Sequence, residues 1–150
     1  MAVDNVVALA KTRPFKLLVV DPGKLHDIWP RIRDGLLKVI EATSPEWIPE
    51  DVYDALRNRR ATLLVAEDTE WFIVAQQQPR HTGSCLMIWV LYAPGDYKKF
   101  AGLVYPELEQ LAREIGANRL EMHSPRKGWE RDPRWIMRET IFTREVKAKA

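Results

Sequence analysis

Apolar positions along the chain change their spacing several times, and each change predicts a boundary between secondary-structure elements. A short apolar run from Phe15 to Val20, followed by the turn residues Asp21-Pro22-Gly23, predicts a first strand. Apolar residues then recur three and four positions apart, which is the spacing of one helical face. They are Leu25, Ile28, Ile32, Leu36 and Ile40. This pattern predicts a first helix, and Pro30 fits it only near its start or at a kink.

A second helix and a β-hairpin are predicted next. The run Thr43–Glu46 has capping-box spacing, and Pro49 suits the first turn of a helix. The side chains predicted to face inward from this helix are Val52, Tyr53 and Leu56. Two apolar runs, Ala61–Ala66 and Trp71–Gln77, flank a polar turn and therefore predict a hairpin, with a loop at 79–83 after it.

The second half of the chain predicts a strand, a helix and another strand. Cys85–Leu91 is a continuous apolar run, which is typical of a central strand covered on both faces. An apolar helical stripe that stops at Gly116 predicts the helix, and Arg119–His123 alternates as a short strand. The stripe consists of Val104, Leu108, Leu111 and Ile115. Because Pro106 would clash with the carbonyl of Gly102, the helix is predicted to begin near Gly102 or to kink there.

The order of these elements predicts the fold class. A helical crossover suits parallel neighbours, so Cys85–Leu91 and Arg119–His123 are predicted to lie side by side in parallel. Near the end of the chain, Trp135–Arg138 and Ile141–Val146 predict a closing hairpin or one bent strand. The sequence therefore predicts an α/β (α+β) fold with a mixed central sheet flanked by helices.

The composition fits one compact domain. The chain has 150 residues, of which 46% are hydrophobic. This is enough to form a hydrophobic core that folds without disulfide bonds or a structural metal. We predict an N-terminal arm at 1–14, the domain at 15–146 and a C-terminal tail at 147–150. The one cysteine, Cys85, excludes an internal disulfide and offers no zinc spacing, which suits a reducing compartment. No segment has transmembrane length or the pattern of a secretion signal, so a cytoplasmic location is expected.

The net charge and the number of tryptophans indicate which class of macromolecule the chain would bind. The net charge is +2 with both signs interspersed, which disfavours a dedicated nucleic-acid binder. His26 and His81 build no metal-ligand set, and no metal is expected. Six tryptophans predict contact with a protein partner, because tryptophan is enriched where interface energy concentrates. Trp47 and Trp71 lie beside turns and are the candidates for exposure, although both could instead cover the ends of the core.

Several short motifs resemble the GCN5-related N-acetyltransferase (GNAT) superfamily, and more closely the GNAT-like proteins encoded among the structural genes of tailed bacteriophages. The helix end Leu111–Gly116 and the turn Arg126–Trp129, with the strand between them, look like the A-x-E-x-G … R-x-G-W ending of the phage group. Trp29-Pro30-x-Ile32 and the strand Ala61–Leu64 look similar to its first half. The resemblance covers nearly the whole chain and implies a GNAT-like fold.

The resemblance implies that acetyl-CoA would lie where the fourth strand separates from the fifth. In the superfamily, the pyrophosphate binds the amides of a loop patterned (Gln/Arg)-x-x-Gly-x-(Gly/Ala) that opens the third helix. The loop here, 92–100, lacks that pattern, and Pro94 has no amide. Asp96 is predicted to cap the helix, so its carboxylate would occupy the amides and repel the phosphate. The candidate cofactor-binding residues are Leu91, Gly95, Tyr97, Lys98 and Lys99, and the two lysines would offset the repulsion.

The reaction also needs a base for the amine and an acid for the departing thiolate. Trp129 occupies the position after the fifth strand where the superfamily often has a tyrosine that acts as the general acid. The glutamate that often acts as the base in the superfamily has no equivalent on the fourth strand of this chain. The remaining catalytic candidates are His123, Glu121 and Tyr92. His123 and Glu121 share one face of the fifth strand, and Tyr92 ends the fourth. Histidine is the side chain best suited to proton transfer near neutral pH.

Two functional classes remain open. The first is a degenerate, non-catalytic GNAT-like bacteriophage protein that needs no cofactor. It would act in particle assembly or as a virion component, bind phage structural proteins, and reside in the infected bacterial cytoplasm or the virion. The second is an acyl-CoA-dependent N-acyltransferase with a divergent pyrophosphate-binding loop, which would use acetyl-CoA. A homo-oligomer is compatible with either class.

Overall fold

The structure is a computed structural model that describes residues 15–124, 129–139 and 141–146, without the Glu130 side chain. The predicted arm at 1–14, the tail at 147–150 and the turn residues 125–128 lie outside the described residues. The strands are β1 Leu17–Val19, β2 Thr62–Ala66, β3 Phe72–Arg80, β4 Gly83–Tyr92 and β5 Arg119–Met122. The helices are α1 Leu25–Thr43, α2 Pro49–Arg57 and α3 Tyr97–Glu114, with 3₁₀ turns at Pro22–Lys24 and Trp129–Arg131.

The strands form one mixed sheet in the order β1-β2-β3-β4-β5. Strands β1 to β4 pair antiparallel, whereas β4 and β5 pair in parallel, with Cys85 opposite Arg119 and Ile88 opposite Met122. Helix α3 supplies the crossover that a parallel pair needs. The predicted parallel pair and the predicted mixed sheet flanked by helices are both confirmed.

Helices cover both faces of the sheet. Val104 and Leu108 of α3 belong to one buried cluster, and Ile32, Leu36 and Val52 of α1 and α2 belong to the other. All five side chains are completely buried, as the helical stripes predict. Strand β4 contributes to both clusters, which confirms it as the central strand covered on both faces.

Strand β4 carries a β-bulge that changes the direction of its side chains. Val74 pairs with Val90 while Ala75 pairs with Ile88, so Trp89 is the extra residue. Residues two positions apart on a regular strand share a face. Ile88 nevertheless packs in the α3 cluster, and Val90 packs in the cluster of α1 and α2. The bulge therefore redirects the last part of β4 toward α1.

Helix α1 approaches this part of the sheet closely at a glycine. A Cβ atom on Gly35 would lie 2.5 Å from Phe72 Cε1 and 3.1 Å from Tyr92 Cδ2. A glycine is required here because any side chain would push α1 away from the sheet. Pro30 lies in the second turn of α1, near the helix start as predicted.

The boundary between α1 and α2 differs from the capping-box prediction. Ser44 has a φ of 46°, and its amide donates to Ile40 O at 2.8 Å, so Ser44 ends α1. Helix α2 begins at Pro49, as predicted, and Asp51 Oδ2 accepts the Ile48 amide at 3.0 Å. The capping-box prediction is wrong because that run ends one helix instead of starting the next.

Helix α3 begins well before Gly102. Asp96 caps its first turn, and the helix continues through Pro106, so the prediction of a start near Gly102 is wrong. Gly116 has a φ of 78° and ends the helix in the left-handed conformation, as predicted. Ile115 was predicted to be buried but is 37% exposed. It occupies the C-cap, where the chain has already left the buried face.

Two predicted segments take other shapes. The expected loop at 79–83 is a tight hairpin turn, with Arg80 opposite Gly83, because the ladder of β3 and β4 continues to the turn. The prediction of a closing hairpin or one bent strand is also wrong, since the described ranges 135–139 and 141–146 contain no strand. Ile141 and Phe142 are 76% and 90% exposed, so neither side chain finds the buried contact that would hold a strand on the sheet.

Trp47 and Trp71, the two tryptophans predicted to be exposed for contact with a protein partner, are both less exposed than that prediction requires. Trp71 is only 7% exposed, its Nε1 donates to Pro94 O at 3.0 Å, and its ring meets Phe100 edge-on at 5.4 Å. Trp47 is partly buried and packs edge-on against Trp89 at 6.2 Å. The predicted exposure of Trp71 is therefore wrong, because this ring covers one end of the core.

Candidate functional site

A cleft opens where β4 and β5 separate. Ile88 opposite Met122 is their last pair, and from Trp89 onward β4 has no partner on that side among the described residues. The cleft has a volume of about 1100 Å³. Its walls come from the end of α1 and the residues after it, from 88–95, from 122–124, and from the turn at Trp129.

The unpaired edge of β4 borders the cleft. An unpaired strand edge presents backbone N–H and C=O groups to any extended ligand that carries amides. The bulge at Trp89 lies where this edge begins, and Leu91 and Tyr92 line the cleft beyond it. The close approach of α1 at Gly35 packs the Tyr92 ring from behind. In the described residues, α1 therefore fixes the Tyr92 side chain at this edge.

The start of α3 borders the same cleft through Gly95 and Tyr97. Gly95 has a φ of 95°, a conformation that favours glycine. Asp96 Oδ1 accepts the Lys99 amide at 3.2 Å, which confirms the predicted cap. This carboxylate uses one amide that an anion would need and adds a negative charge beside the others. Lys98 is exposed on the first turn, as is Lys99, and neither side chain lines the cleft.

Tyr97 is held in a hydrogen-bond network at the cleft. Its hydroxyl donates to Asp132 Oδ2 at 2.7 Å and lies 2.7 Å from the Tyr105 hydroxyl. Burial, together with these hydrogen bonds, raises the pKa of Tyr97 well above its usual range. Burial would raise the pKa of Asp132 as well, but hydrogen bonds from Arg134 and Tyr97 lower it overall. Tyr97 is therefore a structural hydroxyl and a poor proton donor.

Glu121 is bound by two guanidinium groups. Its Oε1 accepts from Arg80 Nη2 at 2.8 Å, and its Oε2 accepts from Arg80 Nε at 2.9 Å and from Arg119 Nε at 2.7 Å. The hydrogen bonds from Arg80 hold the pKa of the Glu121 carboxyl well below its usual range. Glu121 is therefore ionised at neutral pH and a poor proton acceptor. Its catalytic role stays a prediction.

Cys85 lies under this bridge. Arg80 on β3 and Glu121 on β5 reach across β4 to meet, and Cys85 of β4 is completely buried. Burial, with a hydrogen bond to Glu121, raises the pKa of the Cys85 thiol. A buried, protonated thiol of this kind is a packing residue and a poor nucleophile.

His123 and Tyr92 face the cleft from opposite sides of the opening. His123 Nε2 lies 3.6 Å from Glu121 Oε1, and the His123 side chain is 55% exposed. Tyr92 packs against Phe72 at 5.2 Å between ring centroids while it lines the cleft. The structure thus brings His123 and Tyr92 together with Leu91, Gly95 and Tyr97. Glu121, Lys98 and Lys99 lie next to the cleft but do not line it.

Sequence reasoning missed the aromatic wall of the cleft. Trp89 lies in an apolar run that predicts only a central strand, and the bulge that turns it toward Trp47 depends on pairing with β3. Asp132 was also missed, because its contact with Tyr97 joins residues far apart in the sequence. Within the described ranges, no cluster of three or more His, Cys, Asp or Glu could hold a metal ion. Across the same ranges, no helix has both the length and the apolar content to span a membrane.

The sequence matches no protein-family model and no curated protein. Solved structures do match. A ribosomal-protein-alanine N-acetyltransferase from Brucella melitensis biovar Abortus 2308 superposes with a TM-score of 0.63 at 16% identity, covering 90% of this chain and 99% of that one. An aminoglycoside acetyltransferase from an uncultured soil metagenomic sample, solved in complex with sisomicin, has a TM-score of 0.60 at 13% identity, covering 89% and 97%.

A third neighbour is an integron cassette protein from the mobile metagenome of V. cholerae, with a TM-score of 0.61 at 12% identity, covering 89% of this chain and 93% of that one. Identities this low demonstrate a shared fold and not a shared reaction. The neighbours support the resemblance to the GNAT superfamily at the level of fold, and none of the three is described as a bacteriophage protein. The chain therefore has a GNAT-like α/β fold.

Proposed function

We propose that the chain is an acyl-CoA-dependent N-acyltransferase that uses the cleft between β4 and β5. The observation that carries this proposal is the open edge of β4 beyond Ile88, which borders a cleft of about 1100 Å³. The pantetheine arm of acyl-CoA is extended and carries amide groups, so it can pair with a free strand edge. The acetyltransferases among the structural neighbours support the same assignment.

The start of α3 would hold the pyrophosphate. The amides of Tyr97 and Lys98 belong to the first turn of α3, where amides have no partner within the helix. The Lys98 and Lys99 ammonium groups add positive charge, whereas Asp96 adds a negative one. Because the two effects oppose each other, we expect acetyl-CoA to bind more weakly than it would at a glycine-rich loop without an acid.

His123 is the proposed base for the acceptor amine. In the reaction, the amine nitrogen bonds to the acyl carbon, the carbon–sulfur bond breaks, and the amine proton passes to His123 Nε2 or to a water that it binds. Glu121, fixed by Arg80 and Arg119, lies close enough to orient the imidazole. Tyr92 would return a proton to the departing thiolate. Trp47 and Trp89 would form the wall against which the acceptor lies.

Thermal unfolding with acetyl-CoA tests the proposed site. A ligand at about one hundred times its dissociation constant stabilises a protein by roughly 2.7 kcal/mol, which is readily measured. The Lys98→Glu, Lys99→Glu double variant should reduce this stabilisation, and Lys16→Glu, an exposed lysine beside β1, should not. No stabilisation of the wild-type chain by acetyl-CoA would contradict the proposal.

Thiol release from acetyl-CoA tests the chemistry, with a panel of primary amines as acceptors. His123→Ala should lower kcat without changing the dissociation constant of acetyl-CoA, because the imidazole acts on the amine. Tyr92→Phe should lower kcat by a smaller factor, since solvent can also protonate a thiolate. Turnover that is unaffected by His123→Ala would remove the proposed base.

A non-catalytic GNAT-like module in bacteriophage particle assembly is the second candidate. The observation that favours it is the Asp96 cap, because its carboxylate bonds the Lys99 amide and occupies part of the anion site. This candidate expects no stabilisation by acetyl-CoA and co-assembly of the chain with phage structural proteins. Calorimetry with acetyl-CoA therefore separates the two functions.

A further inference from the structure

Trp47 and Trp89 form an aromatic wall on the α1 side of the cleft. Trp47 follows α1, Trp89 is the bulged residue of β4, and both side chains line the cleft. Their rings meet edge-on with 6.2 Å between centroids, and each side chain remains partly exposed. Val39 and Pro45 line the cleft as well and add apolar surface on this side. A partly exposed aromatic pair inside a cleft offers ring surface on which a ligand can pack.

The aromatic wall lies beside His123, the proposed base. Ile88 and Met122 form the last pair of β4 and β5. Trp89 and His123 come next on the two segments, and both line the cleft. His123 Nε2 lies 3.6 Å from Oε1 of Glu121, which alternates with Met122 and therefore lies on the face away from the α3 cluster. Trp89 packs on that same face, against the cluster of α1 and α2. Because neighbouring strands lie about 4.8 Å apart, a short alkyl spacer is enough to join a ring at Trp89 to an amine at His123.

The charged side chains of the cleft argue against a polycationic acceptor. Apart from His123, the exposed charged groups that line the described part of the cleft are two cations and two acids, namely Lys38, Arg131, Glu46 and Glu70. The remaining acid, Asp132, is already bonded to Tyr97 and Arg134. These charges balance, so the described lining has no excess of acids that would attract a polycation.

We propose that the acceptor of this chain is a primary amine that carries an aromatic ring on a short alkyl spacer. The ring packs on Trp47 and Trp89, and the amine reaches His123. This inference rests on the proposed acyltransferase function and names the acceptor class of the same cleft. Contact between aromatic rings strengthens binding by about two- to twelve-fold beyond the burial of apolar area. A saturated ring of the same size gains the burial but not the aromatic contact.

Calorimetry on the full chain tests the proposal with three amines, each titrated with and without CoA. Phenylethylamine should bind about two- to twelve-fold more tightly than cyclohexylethylamine, and spermidine should bind more weakly than either. Trp47→Leu should bind the two ring-bearing amines equally, whereas Trp47→Phe should keep the preference because it keeps an aromatic ring. The matched control is Phe142→Leu, which makes a similar change at a 90% exposed position outside the described cleft lining and should also keep the preference.

Trp89→Leu provides a second variant, and circular dichroism shows which variants are folded. The proposal is overturned by equal wild-type affinity for the two ring-bearing amines, by tighter binding of spermidine, or by a preference that survives in both folded tryptophan-to-leucine variants. If only Trp47→Leu folds, that variant alone decides. Absence of phenylethylamine binding, with and without CoA, overturns the proposal too.

The proposed function can fail separately from this inference. Binding of phenylethylamine without thiol release from acetyl-CoA would support the aromatic site and contradict acyl transfer. Thiol release with spermidine but not with phenylethylamine would support acyl transfer and overturn the inferred acceptor class.

Discussion

The two halves of β4 have the same apolar composition but different surroundings. From Cys85 to Ile88 the strand is paired with β3 on one side and β5 on the other. Beyond Ile88, β3 is its partner within the described ranges, because β5 ends opposite Ile88 and leaves the other edge unpaired there. The first half stabilises the domain and the second half lines the cleft. In this protein, the candidate site is placed by a change in pairing and not by a change in residue type.

The first prediction compares the same truncation in the two halves. Leu86→Ala removes a side chain that is only 4% exposed and paired on both sides, so it should cost about 2–5 kcal/mol of unfolding free energy. Leu91→Ala truncates a partly exposed side chain at the cleft and should cost less. Urea denaturation measures both. Equal losses would mean that the second half is as well packed as the first.

The second prediction tests the packing of α1 behind the cleft. Gly35→Ala should destabilise the domain by about 1–3 kcal/mol, because the new methyl group would meet Phe72 at 2.5 Å. Gly102→Ala in α3 is the control, since no atom lies within 4 Å of its Cβ position. That variant should gain about 0.5–1 kcal/mol, the cost of glycine within a helix. If both changes stabilise, α1 does not press on this part of the sheet.

The third prediction concerns the bridge that ties β5 to the first half of β4. The folded-state pKa of Glu121 lies below its ordinary value of 4.5, so its contribution to stability is complete above pH 4.5 and is lost as the pH falls toward the folded-state pKa. Glu121→Gln should cost about 1 kcal/mol at pH 7, and solvent screening keeps the effect modest.

The difference between wild type and Glu121→Gln should shrink as the pH is lowered below 4.5, because the wild-type carboxylate becomes protonated. Thermal unfolding at a series of pH values measures this difference. Glu109→Gln, an exposed acid on α3, should show little difference at any pH. A constant difference between wild type and Glu121→Gln would indicate that the Glu121 charge does not stabilise the fold.

The smallest expected effect concerns the start of α3, next to the open half of β4. Asp96→Asn keeps a capping side chain but removes its charge, so acetyl-CoA should bind about two- to five-fold more tightly, the effect of about 0.3–1 kcal/mol at a helix terminus. Calorimetry measures the affinity, with Glu109→Gln as the control at the far end of the same helix. Unchanged affinity would place the pyrophosphate away from this terminus.

Local patterns predicted the parts of the fold that depend on neighbours in the sequence. The spacing of Ile32 and Leu36 predicted the buried face of α1, and Gly116 predicted the end of α3. Asp96 was predicted to cap α3, and its hydrogen bond to Lys99 confirms it. The cleft position between the fourth and fifth strands was implied by the resemblance to GNAT proteins. The roles of His123, Tyr92 and the cofactor-binding residues stay predictions.

Other features required the folded chain. The bulge at Trp89 exists only in the register with β3. The bridge from Arg80 to Glu121 joins residues that the whole of β4 and α3 separate in the sequence. The predicted closing hairpin or bent strand is wrong for a related reason. The apolar residues Ile141, Phe142 and Val146 indicate what a strand could bury but not which strand it would pair with.

The sequence by itself therefore determined the order of the elements from β1 to β5, the buried face of α1 and the caps of α3 at Asp96 and Gly116, because hydrophobic period and backbone capping act over a few residues. Only the tertiary structure decided where β4 loses its partner, which acid is neutralised by which arginine, and where Trp71 points. These depend on contacts between distant segments, whose geometry is set by packing across the whole sheet.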